Sequence, residues 1–179
     1  FNEDTAGQML AVLMRHGVKV DRGATLGKTI VFASSRAHAD QICRVFQARY
    51  PHLPAGYCRV VDSQEAYSQD LVDDFCARTR MPRIAVSVGA LDAGIDVPAC
   101  VNLVFFKRVE NRELFMRMVG RGTRPCKGLI DGKNKEKFLV FDFFGNFEAF
   151  SGRYSGEGAP EQMPLPAQIF CLQAQLLRA

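Results

Sequence analysis

Five strand-length runs, at residues 29–33, 57–61, 84–88, 101–106 and 138–142, are apolar along most of their length instead of at every second position. Strands of that kind have two faces to hide. They are expected in a parallel sheet covered by helices on both sides, whereas an open antiparallel sheet would show polar residues in alternation. The stretches between them supply the cover. Residues 6–16 carry Met9, Val12 and Leu13 at helical spacing, and residues 35–49 carry Ala39, Ile42, Cys43 and Phe46. Asp62 or Ser63 can cap a third helix, with Glu65 in its first turn and Leu71, Val72, Phe75 and Cys76 inward. A fourth carries Leu114, Phe115, Met118 and Val119. Pro82 separates the third helix from the next strand. Strand and helix in turn predict a three-layer α/β domain with a mainly parallel sheet, and loops at the strand C-termini as the place for a ligand.

At 179 residues and 47% hydrophobic, the chain is long enough for one core without staples. Six cysteines are scattered with no Cys-x-x-Cys pair, which fits reduced thiols in a cytoplasmic protein and argues against a zinc site. No metal ligands are expected. The apolar runs are too short to span a membrane, and the first residues lack the pattern of an export signal. A net charge of +4 is compatible with a polyanion partner and equally with an ordinary surface. The basic residues do crowd one region, from Lys107 and Arg108 through Arg112, Arg117, Arg121 and Arg124 to the lysines of residues 127–137. The polar connection 126–137 is expected to be a solvated loop, with a DNA-facing loop as the second reading. Residues 152–166 are rich in Gly and Pro and read as a linker to a terminal helix over 167–178, with Ile169, Leu172, Leu176 and Leu177 on its docking side.

Gly120-Arg121-Gly122-Thr123-Arg124, at the end of the fourth apolar helix, places two arginines three apart. Both aim one way. Guanidinium forks are permanently charged and match phosphate oxygens, so the pair suits the charge that spreads over a transferring phosphoryl group, and the flanking glycines would let phosphate approach. The competing reading is two surface arginines favoured by a helix C-terminus.

Gly27-Lys28-Thr29 imitates a phosphate-binding loop, but Arg22 stands where that loop needs its first glycine. A strand also follows where a helix is required. Lys28 reads as a strand lead-in, and the chain has no Walker A motif of its own. Arginines without a phosphate cradle point to a nucleotide held by another module. Arginine fingers supplied that way accelerate hydrolysis by about 10³ to 10⁵.

Three separated segments then carry a resemblance. Ile30-Val31-Phe32-Ala33-Ser34-Ser35-Arg36, the run 86–98 (Val-Ser-Val-Gly-Ala-Leu-Asp-Ala-Gly-Ile-Asp-Val-Pro), and Gly120-Arg121-Gly122-Thr123-Arg124 resemble motifs IV, V and VI of the second RecA-like domain of superfamily 2 helicases and translocases. The resemblance implies a RecA-like (P-loop NTPase-like) domain over 28–150, preceded at 1–27 by a helix and lead-in from a first motor domain, and followed at 151–179 by the linker and terminal helix. It implies DNA backbone contacts by Ser34, Ser35, Arg36 and Ser87, nucleotide contacts by Gly94 and Asp96, and catalytic finger and phosphate-sensing roles for Arg121 and Arg124. Arg117 occupies the position where these motors usually carry a nucleotide-contacting glutamine. Taken singly, the serines also read as helix caps, and Gly94 and Asp96 as turn residues.

Within that superfamily, the run 92–98, Asn102-Leu103-Val104-Phe105, the arginine segment and the run 141–148 (Phe-Asp-Phe-Phe-Gly-Asn-Phe-Glu) resemble the R subunit of type I restriction-modification enzymes. That family implies an ATP-dependent double-stranded DNA translocase joined to a nuclease domain, with modification and specificity subunits as partners. ATP and Mg2+ would be held mainly by the first motor domain. Another superfamily 2 repair helicase, or a binding module without ATPase, are the competing assignments. Asp142 and Glu148 lack the converging acids and lysine of a nuclease. Asp142 is expected to end the last strand, and Phe143, Phe144 and Phe147 to pack into the core.

Overall fold

The computed structural model describes residues 2–62, 68–89, 96–151 and 168–173. In chain order the elements are α1 (Glu3–His16), β1 (Lys19–Val20), β2 (Thr25–Leu26), β3 (Lys28–Phe32), α2 (Arg36–Arg49), β4 (Cys58–Asp62), α3 (Ser68–Cys76), β5 (Ile84–Val88), β6 (Cys100–Phe105), α4 (Arg112–Val119), β7 (Lys137–Asp142), α5 (Asn146–Ser151) and β8 (Gln168–Gln173). β1 and β2 form a small hairpin. The other strands make one sheet in the order β4-β5-β3-β6-β7-β8. Its first five strands are parallel, as the continuous apolar runs predict.

Period-two geometry divides the core into two layers. Ile30 and Phe32 of β3, Leu103 and Phe105 of β6, and Phe138 and Val140 of β7 face one side, against Val72 and Phe75 of α3, Phe115 and Met118 of α4, and Phe147 of α5. Val31, Val104 and Phe141 from the same strands, with Ile84 and Val86 of β5, face the other side, against Met9, Leu10 and Leu13 of α1 and Ile42 and Phe46 of α2. Helix, sheet and helix make the three layers. α1 shares this core, with Leu10 and Leu13 fully buried.

The expected terminal helix is overturned over 168–173, while the linker 152–166 and the flanks of that helix lie outside the described residues. Residues 168–173 form a strand antiparallel to β7, pairing Lys137 with Gln173 and Asp142 with Gln168, where a helix over 167–178 was expected. Spaced leucines mark a helix and a buried strand alike over so short a stretch. The deciding factor is tertiary: without β8, β7 would leave a row of backbone donors and acceptors unpaired at the sheet edge.

Strand direction gives the sheet a lower edge, where Lys28, Cys58, Ile84, Cys100 and Lys137 begin the parallel strands. The upper edge is where Phe32, Asp62, Val88, Phe105 and Asp142 end them. After β3 the chain crosses by α2 on one face towards β4, and after β6 it crosses by α4 on the other face towards β7. The strand order therefore reverses at the β3/β6 boundary. Crossovers leaving from opposite faces open a crevice above that point, the usual ligand position in sheets of this type.

Candidate functional site: two edges of one sheet

α4 follows the upper end of β6, capped by Asn111, whose side chain accepts from Leu114 N (2.9 Å), and reaches the lower edge at its C-cap, Gly120. Arg121 and Arg124 therefore lie beyond the helix in a tight turn. Arg121 N donates to Met118 O (3.2 Å), Gly122 N to Val119 O (3.0 Å), and the Thr123 hydroxyl to Gly120 O (2.9 Å). Arg124 Nε meets Asp96 Oδ1 at 3.4 Å, with both side chains about half exposed. Two residues assigned to different motifs, 28 positions apart in sequence, thus meet as a pair. Gly94 lies outside the described residues. Arg117 sits on the exposed side of α4 and pairs with Glu113 one turn back (3.3 Å).

Packing constrains the two glycines to different degrees. A Cβ on Gly122 would stand 2.1 Å from Phe138 Cδ2, so this residue is glycine because the turn packs flat against a core ring. At Gly120 the nearest atoms would be backbone oxygens at 3.3 Å, and no phosphate approach is needed to explain either glycine. Lys28 is buried. Its ammonium donates to Arg80 O (2.6 Å), Pro82 O (2.8 Å) and Asp74 O (3.4 Å). Burial, with Arg83 adding like charge, lowers its pKa to about 8. All three of its donors are committed to carbonyls, so Lys28 is a structural post.

The connection 126–137 is also less solvated than expected. Lys127, Lys133 and Lys137 are exposed, but Lys135 is buried, donating to Pro98 O (3.1 Å) beside the Phe138 ring, and burial pulls its pKa down. The loop closes on itself through Gly128 N to Asn134 Oδ1 (3.1 Å) and Lys135 N to Cys126 O (2.9 Å). It belongs to the lower edge, on the far side of the sheet from the serines.

The upper edge gathers the other assigned residues. Ser35 caps α2, its hydroxyl accepting from His38 N (3.2 Å), so the cap reading holds for it. His38 is buried, and its Nδ1 lies 3.0 Å from Ser34 Oγ and accepts from Ser34 N (3.3 Å). Desolvation lowers the His38 pKa to about 4, so near neutral pH the imidazole is uncharged and its Nδ1 is an acceptor. Ser34 and Ser35 remain exposed, and Arg36 pairs with Asp40 through Nε at 3.1 and 3.2 Å. Ser87 lies one strand away, its carbonyl accepting from Ala33 N (2.9 Å), but its side chain is fully buried. Gly89, just past β5, takes φ +78°. Ser87 thus belongs to the upper edge and Asp96, from the same sequence motif, to the lower one.

Sequence reasoning missed His38 and Asn146; Asp142 ends β7 as expected, and is buried together with Asn146. Asp142 Oδ1 accepts from Phe144 N (3.1 Å) and Asn146 Nδ2 (2.9 Å), and Oδ2 accepts from Phe147 N (2.8 Å). Asn146 in turn accepts from Val109 N (2.8 Å) and donates to Lys107 O (3.1 Å). In both cases the available signal was a polar residue four positions from another at a helix start. Phe147 is buried as expected, but Phe144 is 41% exposed, a correction to its core assignment. The turn capped by Asp142 points that ring outward.

This fold is that of the RecA-like C-terminal domain of helicases. The C-terminal domain of S. cerevisiae Dbp5, in a structure bound to Gle1 and IP6, matches with TM-score 0.51 at 16% identity, over 68% of this chain and 65% of that one. More specifically, the chain is similar in sequence to type I restriction enzyme endonuclease subunits. It is 33% identical over 123 residues to the EcoKI endonuclease subunit of Escherichia coli (strain K12), covering 64% of this chain and 10% of that protein. A fragment structure of an HsdR subunit of a type I restriction enzyme from Vibrio vulnificus YJ016 matches with TM-score 0.68 at 26% identity, over 89% of this chain and 30% of that one. The chain thus spans about a tenth of the curated relative and under a third of the solved one. No protein-family model matches it. Among the described residues, no helix is long and apolar enough to cross a membrane.

Proposed function

We propose that this domain is the second motor domain of an ATP-dependent double-stranded DNA translocase, the R subunit of a type I restriction enzyme, and that its two sheet edges serve two ligands. One observation carries the reading: Asp96, Arg121 and Arg124 lie at one edge and Ser34, Ser35 and Arg36 at the other, with Ser87, from the same sequence motif as Asp96, beside the serines. A motif with one end at each edge can couple them.

The lower edge fits a nucleotide held elsewhere. Arg124 is solvent-facing and held by a single half-exposed carboxylate, a contact worth under about 1 kcal/mol, so phosphate oxygens can displace Asp96 at small cost. Lys28 offers no cradle. ATP with Mg2+, bound by the preceding RecA-like domain, supplies the phosphoryl transfer. On this chain Arg124 and Arg121 neutralise charge on the phosphates, Asp96 and Gly94 contact the nucleotide across the cleft, and Arg117 lies at the rim. At the upper edge the Ser35 hydroxyl keeps its proton free to donate to phosphate while its oxygen accepts the cap bond. The positive end of α2 adds donors beside Ser34, whose oxygen is positioned by His38, Arg36 exchanges Asp40 for phosphate, and Ser87 lies beneath them. The preceding RecA-like domain and a nuclease domain of the same chain, with modification and specificity subunits, complete the enzyme. The domain alone neither hydrolyses ATP nor cuts DNA, and the assembly works in the cytoplasm.

The test is ATP turnover of the full-length subunit with and without duplex DNA, for wild type and Arg124→Ala. DNA-stimulated turnover that falls about 10³-fold or more in the variant is expected. Unchanged turnover and translocation would remove the motor assignment and leave the binding-module reading.

A further inference from the structure

We infer that Phe144, together with the exposed Arg108 on the loop tied to its turn, is a DNA-contacting platform that extends the upper edge beyond the serines; the inference rests on the nucleic-acid reading of that edge. Among the described residues only two large hydrophobic side chains are exposed, and Phe144 is one of them. Its position is built. Asp142 and Asn146, both buried, fasten the turn that carries Phe144 to the loop that carries Lys107 and Arg108, through the Asp142 bonds to Phe144 N and Asn146 and the Asn146 bonds to Lys107 O and Val109 N. Such a network ties the backbone that carries the exposed ring to the backbone that carries the exposed Arg108.

The ring also connects to the assigned contacts. Phe144 meets Phe106 edge-on, with centroids 6.1 Å apart, Phe106 lies 5.1 Å from the His38 ring, and His38 bonds Ser34. Phe106 follows β6 and Ser34 follows β3, so this chain of contacts lies across the crevice where the strand order reverses. An exposed apolar ring on a turn tied to a loop that carries an exposed arginine suits the deoxyribose and base faces of a strand whose phosphates are held by Ser35, Arg36 and Arg108. A purely anionic ligand would have no use for the ring.

The two parts of the platform respond differently to salt. A cation on a phosphate releases counterions, so Arg108→Ala in the full-length subunit should weaken duplex binding and flatten the slope of log K against log[salt] by about one. An apolar contact releases none. Phe144→Ala should therefore weaken binding about tenfold at every salt concentration with the slope unchanged, while Phe144→Tyr keeps wild-type affinity. Fluorescence anisotropy with labelled duplex reads all three. Wild-type affinity in Phe144→Ala alongside weakened binding in Arg36→Ala would overturn the platform and leave the edge intact. Wild-type affinity in both would overturn the edge reading and the platform together. Should Phe144→Ala lower the Tm, a photoreactive benzoylphenylalanine at position 144 decides: crosslinking to DNA supports the platform, and crosslinking to protein alone overturns it.

Discussion

The two edges of the sheet are built to different standards. Most upper-edge groups are fixed from below: Ser35 caps a 14-residue helix, Ser34 is held by a buried imidazole, and Asp142 and Asn146 staple two loops from inside the core, while Arg36 rests on a half-exposed pair with Asp40. The lower-edge arginines lie on a turn after a helix that has already ended, and Arg124 is held by an exposed ion pair. What is rigid about the lower edge is its backbone, pressed against Phe138 at Gly122 and propped by Lys28 and Lys135. A surface that must grip one polymer repeatedly profits from side chains ordered in advance. One that completes a site on another domain needs a firm base and mobile tips, because the final geometry arrives with the partner.

The largest effect that would break this contrast concerns His38. Its folded pKa of about 4 lies below the ordinary value of 6.5, so the unfolded chain binds the proton more readily. The associated stability is fully present above about pH 6.5 and is lost as pH falls towards 4. That interval corresponds to roughly 3 kcal/mol at most. Denaturant titrations between pH 7 and 4 should show this fall in wild type and a shallower one in His38→Leu. A wild-type profile no steeper than that of the variant would mean the upper edge is not built on a neutral imidazole.

Gly122→Ala probes the lower edge. Overpacking against Phe138 should cost about 1 to 3 kcal/mol and lower the Tm, with partial recovery on adding Phe138→Leu. Loss of ATP turnover at unchanged Tm would instead assign the glycine to phosphate approach. The smallest expected change is in Asp96→Asn, which should shift stability by less than about 0.5 kcal/mol because the pair is exposed, while altering nucleotide-dependent turnover. A loss of several degrees in Tm would show that the lower edge is held as firmly as the upper.

Much of this was legible in advance for a definable reason. Unbroken apolar strands such as 29–33 and 101–106 admit few arrangements other than a doubly covered parallel sheet, and the observed β3 and β6 begin one residue earlier than those runs. The near-miss of Gly27-Lys28-Thr29 was readable from spacing, and the buried ammonium of Lys28 agrees with it. The C-terminal strand was not readable, because its state depends on the bare edge of β7 and not on its own periodicity. Phe144 and Phe147 look alike in sequence, yet the turn capped by Asp142 sends one outward and the other inward.

The amino-acid sequence by itself determined the layered α/β class, the lack of a phosphate cradle and the residue types available at each strand end, since these follow from local periodicity and spacing. Only the tertiary structure decided that the two sets of residues face opposite edges, that Asp96 reaches Arg124, that Gly122 answers to Phe138, and that Phe144 stands in solvent. Each of those depends on atoms brought together from distant parts of the chain, and no local pattern encodes a distance across the sheet.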